Sequence, residues 1–324
     1  MSAAPSQGGL TQALAPTIMH LRLPSAQYGY YPEALGVLLA IKDENSFHET
    51  INLLHPADIF CSALEEFAQS ALLLTSIVNE INTREPGENS ITAEEVTKLS
   101  HLTQNLYLCS DNFLSSCRSI LRCAFPTADK QCTKTLRLFD MQVRSYNDYV
   151  SKTINYIKHR HRRIRTIYCT SDNFIIAGYF VEGIVEKGVV GPDADMHNNS
   201  DCAISFNRDI PHHVANILLC AGTLGAISRD AFSVSTLIAP SSTDSNLLIR
   251  LFDECSKLQS NYFNDEIFQQ RHARIKKHGK DRFVVSIDEK NKPTNRKPHL
   301  QNFKVTFRVP HMYRSIKLPY FGGR

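Results

Sequence analysis

Between Cys132 and Ile157 apolar side chains return at steps of four and three: Cys132, Leu136, Phe139, Val143, Tyr146, Val150, Ile154 and Ile157. Only a helix with one buried stripe has that period, because residues three and four apart share a face. Thr127 and Asp129 stand just ahead as caps, and the run predicts a helix of about 30 residues. A stripe of this length needs apolar partners along all of it, and the preceding sequence supplies them. Pro56 and Asp58 open a stretch in which Phe60, Leu64, Phe67, Leu74, Val78 and Ile81 recur at near-helical spacing before Pro86. Thr92 and Glu95 form a capping box. From there Val96, Leu99, Leu102, Leu106, Phe113, Cys117, Ile120 and Leu121 carry an apolar face to Phe125, where Pro126 stops the helix. Long amphipathic helices with short connections predict an antiparallel helical bundle.

Past Arg163 the pattern changes. Ile164 to Cys169 and Phe174 to Val181 are rich in Ile, Tyr, Phe and Val and flank Thr170-Ser171-Asp172-Asn173, which predicts two strands and a turn. Gly183, Gly188, Gly191 and Pro192 punctuate the next stretch, and Cys202 to Phe206 reads as a short strand. Helices are expected over His213–Ile227, Asn246–Leu258 and Asp265–His278. Near the C-terminus Phe303, Val305, Phe307 and Val309 alternate with Lys304, Thr306 and Arg308, the pattern of a lysine-defended edge strand. The expected fold class is α+β. A flexible arm covers 1–30, the antiparallel bundle 31–163, and a smaller mixed strand and helix region with a basic tail 164–324.

Apolar residues make up 42% and charged residues 21% of the 324, which excludes disorder as a description of the whole chain. The net charge of +4 conceals a segregation. From Arg271 to Arg324, 15 Lys and Arg meet three acids, Asp281, Asp288 and Glu289, so the preceding residues carry 21 cations against 29 acids. An acidic body with a basic end is a footprint of binding to nucleic acid or another polyanion. A second basic run lies mid-chain, where Lys158, Arg160, Arg162, Arg163 and Arg165 occur with His159 and His161 and no acid intervenes between Asp148 and Asp172. Nine cysteines, an odd number without a Cys-x-x-Cys pair, read as reduced thiols packed as small hydrophobes. No apolar run reaches membrane-spanning length, and Met1 to Pro16 has neither a basic residue nor the apolar run of a leader. A cytoplasmic protein with no membrane contact is expected. No P-loop, dinucleotide fingerprint or serine-hydrolase elbow is present.

Extended by its own step, the buried stripe of the long helix runs Ile154, Ile157, His161, Ile164, which puts His161 on the core-facing side. A histidine among guanidinium groups has its charged form disfavoured and is available as a neutral base. The same cations also serve simply to stabilise a helix C-terminus. Over residues 56–165, a bundle whose long helix ends in Asn155, Lys158, His159, Arg160 and His161 resembles the HEPN group of bacterial proteins. Many of these are RNA-cleaving toxins or defence components in which a polar-basic-His motif cleaves RNA without metal across a dimer interface. The resemblance implies that His159 or His161 takes the ribose 2′-hydroxyl proton while Lys158 and Arg160 stabilise charge on the phosphorane, with Asn155 completing the motif. The family signature is Arg, four to six residues, then His. Here Asn155-x-x-Lys158-His159 stands in its place, and Lys lacks the planar grip of Arg on phosphate.

Literal matches at Arg208 to His213 and Arg271 to His278 are as many as chance spacing gives, and Pro211 argues against a helix at the first. Arg271, Arg274, Lys276 and Lys277 read as a basic helix touching phosphates, with Arg162, Arg163 and Arg165 as further contacts. The expected partners are RNA or other nucleic acid and a second copy of the chain as a homodimer, with no cofactor. A non-catalytic scaffold that binds nucleic acid or an acidic partner through the basic C-terminal segment explains the charge segregation as well. A third arrangement, Asp193, Asp195 and His197 at alternate positions, would hold a divalent metal if extended, though Asp after Gly-Pro more often makes a turn. His212 and His213 are expected at a helix start, as surface or cap. Tyr28, Tyr30 and Tyr31 read as a docking contact of the arm.

Overall fold

The long helices form where the periodicity places them. A computed structural model describes residues 18–22, 30–86, 91–171, 174–197, 202–240, 246–263, 272–278, 282–288, 304–306 and 315–319. After a short α1 (Glu33–Leu39), α2 (Pro56–Asn82) starts at His55, whose Nδ1 accepts the Ala57 amide. The capping box of α3 (Ala93–Arg122) is complete: Thr92 Oγ1 accepts the Glu95 amide at 3.2 Å and Glu95 Oε2 accepts the Thr92 amide at 2.7 Å. α4 (Lys130–His159) opens on Asp129, whose Oδ1 accepts the Cys132 amide at 2.8 Å. Cys132, Phe139, Val143, Tyr146, Val150 and Ile154 are buried along its stripe, while Leu136 and Ile157 are partly covered.

The second half builds two sheets and two more helices. β2 (Ile164–Ser171) and β3 (Phe174–Glu186) pair antiparallel from Ile164 opposite Val181 to Ser171 opposite Phe174. β4 (Val189–Pro192) folds back on β3 through Gly188, whose φ of +81° suits the absence of a Cβ. With β5 (Ile204–Ser205), β8 (Lys304–Thr306) and β9 (Ser315–Ile316) the order is β8-β2-β3-β4-β9, β5 lying beside β3. Among the described strands β8 therefore lies at an edge. The smaller sheet joins β1 (Ile18–Arg22), β7 (Phe283–Asp288) and β6 (His272–Lys277) in the antiparallel order β1-β7-β6. Helices α5 (Phe206–Ala231) and α6 (Asn246–Lys257) complete an α+β architecture with helices mostly N-terminal and strands mostly C-terminal.

Three sequence expectations are corrected. His272–Lys277 is a strand, not the end of a helix; Ala273 and Ile275 are buried and Lys276 is exposed, a period of two that pairing with β7 converts into structure. Residues 265–271 lie outside the described residues. Ile18–Arg22, within the expected loose arm, is a strand on Val284–Asp288, a partner from the far end of the chain that no local pattern announces. The rest of the arm up to residue 29, Tyr28 included, lies outside the described residues, whereas Tyr30 is buried and the Tyr31 hydroxyl donates to Glu65. α5 begins at Phe206, seven residues before the expected start, with Pro211 inside it. Proline there removes only one i→i−4 bond, and the burial of nearly every residue around it outweighs that loss.

One apolar cluster joins Phe60 and Phe113 of α2 and α3, Phe139 of α4, Leu224 of α5, Phe252 of α6, Ile175 of β3 and Val285 of β7. The core is thus continuous across residue 163. Alternate residues of the hairpin, Ile167, Cys169, Ile176 and Phe180, cover a second, smaller cluster with Ala203 and Phe263. Among the described helices α5 is long and apolar enough to cross a membrane, but 72% of its most apolar window is buried against other elements, as in a core helix. At Gly178 of β3 an added Cβ would stand 2.1 Å from the Ile204 carbonyl and 2.5 Å from Phe263. Gly178→Ala should therefore cost about 3 kcal/mol in urea unfolding, at the upper end of overpacking effects, and an unchanged midpoint would contradict the close passage of β5.

Candidate functional site

α4 closes in a tight turn. His161 adopts the left-handed conformation (φ +52°), and the Arg162 amide bonds back to the Tyr156 carbonyl at 3.1 Å, steering the chain into β2. The helix has ended before His161, so this side chain is exposed rather than core-facing. Asn155, Lys158, His159 and Arg163 are exposed with it, whereas Arg162 and Arg165 are half-buried.

The segment after β4 lies directly against this turn. The Tyr156 hydroxyl donates to Asp195 Oδ2 at 2.6 Å, and Lys152 Nζ donates to the Asp195 carbonyl at 2.6 Å. Arg160 sits 3.8 Å from Asp195 Oδ2 and 4.3 Å from the Tyr156 ring centre. Arg162 Nε lies 3.7 Å from Asp193 Oδ2, and Arg165 Nε donates to Glu182 Oε2 at 2.5 Å. Two motifs that are separate in sequence are therefore one feature, in which carboxylates neutralise guanidinium groups. The Tyr156 hydrogen bond, against some desolvation and with help from Lys152 and Arg160, holds the Asp195 carboxyl below its usual range. Asp193 Oδ1 accepts the Asp195 and Met196 amides at 3.1 and 3.3 Å, the work of a turn residue. His197 Nε2 accepts the Val181 amide at 3.0 Å, and burial pushes this imidazole down to about 4, so it is neutral. With those atoms engaged, Asp193, Asp195 and His197 do not converge, and among the described residues no group of His, Cys, Asp or Glu is placed to hold a metal. On β6, Arg274 is half-buried, Lys276 is exposed, and Lys277 Nζ lies 2.5 Å from Asp253 Oδ1; Arg271 lies outside the described residues.

A second polar cluster is enclosed by the fold. The hydroxyls of Tyr149 (α4) and Tyr179 (β3) donate to Asp209 Oδ1 and Oδ2 at 2.7 and 2.6 Å. Tyr107 of α3 closes the ring, its hydroxyl 2.6 Å from that of Tyr149 and 2.7 Å from that of Tyr179. One turn along α5 from Asp209, His213 Nε2 lies 3.6 Å from Asp209 Oδ2, while Nδ1 is 2.7 Å from the Tyr146 hydroxyl and 3.2 Å from Ser110 Oγ. Asp209 is 1% and His213 0% exposed. Burial on its own would raise such a carboxyl; the His213 charge and the tyrosine donors outweigh it and hold Asp209 below its ordinary value. Burial drives the ring tyrosines well up, so they remain protonated donors.

The sequence reading missed this cluster. His212 and His213, expected at the surface, are 4% and 0% exposed because α5 starts early and carries both into its second turn against Tyr146 and Tyr149. The Arg208-to-His213 match to the HEPN signature is helical after all, yet both residues are enclosed by protein. A signal existed in Asp209 and His213 at i,i+4, an acid and a base on one helical face. No family model, curated protein or solved structure matches this chain.

Asp209→Ala should destabilise the protein by about 3–5 kcal/mol, since it strands His213 and two hydroxyl donors in the core. Tyr107→Phe, which keeps the ring volume, should cost about 1–2 kcal/mol. Because the folded-state value of Asp209 is depressed, its ionic contribution is full above the unfolded carboxyl value near ~3.9 and is lost as pH falls through the lower folded value. Urea titrations at descending pH should show that acid loss in the wild type and a flatter limb in Asp209→Asn; parallel limbs would contradict a depressed Asp209 carboxyl.

Proposed function

We propose that the turn closing α4 is the phosphate-binding surface of a HEPN-like RNA-binding protein, and that it holds RNA without cleaving it. The supporting observation is the division of labour within the basic run. Arg160, Arg162 and Arg165 are engaged by Asp195, Asp193 and Glu182, whereas Lys158, His159, His161 and Arg163 are exposed and form no ion pair with the described residues. Exposed cations on a short turn suit contact with a sugar-phosphate backbone, which carries affinity without base specificity. A general base needs a ring held in a set orientation, and neither His159 nor His161 has a hydrogen bond to a described residue that would hold it. Nine free cysteines support a reducing, cytoplasmic setting.

Fluorescence anisotropy of a labelled single-stranded RNA, titrated at increasing salt, tests this. Three or four phosphate contacts should give a log–log slope of about 2 to 3, and Lys158→Glu with Arg163→Glu should weaken binding by about tenfold while far-UV circular dichroism is unchanged. Salt-independent binding, or equal affinity of the double variant, would remove the proposal. Cleavage of total RNA by the wild type that is lost in His159→Ala with His161→Ala would replace it with the catalytic form of the family resemblance.

A further inference from the structure

α4 carries a second feature, roughly 30 Å from the turn at its C-terminus by helical rise. Its first turns run antiparallel to the last turns of α5, and between them lies a groove of 940 Å³. Leu138 and Met141, 42% and 69% exposed, stand on the groove at i,i+3 spacing, on a different face from the stripe that enters the core. Lys130, Lys134 and Arg137 flank them, all exposed. Against these cations the lining offers Asp230 and the carboxylate that already caps α4. The first turn of α4 carries no acidic residue of its own, so Asp129 at the N-cap is the carboxylate that answers the helix dipole there.

We propose that this groove docks an acidic amphipathic helix from a partner protein. Two antiparallel helices leave a trough shaped for a third, and an occupant with apolar anchors three and four residues apart would cover Leu138 and Met141. Methionine adapts to such anchors because its side chain is unbranched and polarisable. Flanking carboxylates would answer the three cations. Nucleic acid fits less well: among the described residues the lining has no aromatic ring on which a base would stack, and a duplex would leave the two apolar side chains wet.

The test uses the full chain and a labelled synthetic peptide with Leu at i, i+3, i+4 and i+7 and Glu on the other face. Its controls are a scrambled peptide of the same composition, a charge-reversed Leu/Lys peptide, and oligouridylate as competitor. Saturable binding of the acidic amphipath is expected, weakened about tenfold by Leu138→Glu with Met141→Glu and severalfold by Lys134→Glu with Arg137→Glu. All four positions are exposed, so circular dichroism should be unchanged, and RNA binding at the other end of α4 should persist in the Leu138/Met141 variant. No saturable binding, equal binding of the scrambled or basic peptide, or indifference to the Leu138/Met141 change would overturn the proposal. Displacement by oligouridylate that depends on Lys134 and Arg137 would also overturn it, in favour of a nucleic-acid groove.

Discussion

A carboxylate shut away from water must find both its counter-charge and its donors inside the protein, and Asp209 does so by drawing four elements to one point. Tyr107, Tyr149 and Tyr179 arrive from α3, α4 and β3, and His213 from the next turn of its own helix. Leaving the carboxylate itself unpaired would cost about 3–5 kcal/mol, a large part of what separates folded from unfolded chains. The bundle and the sheet are therefore tied to the relative position in which the carboxylate keeps both tyrosine donors. From Tyr179 the constraint passes along β3, where the Val181 amide is taken by His197 and Glu182 receives Arg165. In this way the buried cluster sets where the surface turn after α4 can lie.

That surface illustrates why a charge run read along the chain overstates the charge met in space. Between Lys158 and Arg165 every residue but Ile164 is a cation or a histidine, yet the fold brings Glu182, Asp193 and Asp195 against the guanidinium groups. What survives is a smaller set of exposed groups, chosen by geometry rather than by composition. The acid–His segment loses its appearance of a metal site for the same reason, since its oxygens and ring nitrogen answer backbone amides and Arg162.

The helices of the bundle were legible because period and caps agree: Thr92 with Glu95, and Asp129 ahead of the stripe from Cys132 to Ile157, mark boundaries that the fold keeps. The β2–β3 hairpin was legible for its β-branched and aromatic content. β1 and β6 were not, because each is a short, partly basic segment that becomes a strand only beside β7. The start of α5 was obscured by Pro211, a local signal that burial overrides. Of the candidate site, the exposed basic turn could be read in outline, though not the left-handed His161 that reorients it. Of the enclosed cluster only the Asp209 and His213 spacing carried a signal, since its tyrosines come from three elements with nothing in common in sequence.

The oxygens around Asp209 also pose a problem of stoichiometry. Four short O···O separations link the carboxylate and three phenols, but with the acid ionised the phenols bring only three hydrogens. Tyr149 and Tyr179 commit theirs to the carboxylate, which leaves Tyr107 a single hydrogen for two neighbours at 2.6 and 2.7 Å. That hydrogen has two nearly equivalent resting places, one toward α4 and one toward β3. The centre of the molecule is consequently degenerate in hydrogen arrangement while its heavy atoms are in one, and Tyr107 is the swivel between helix and sheet.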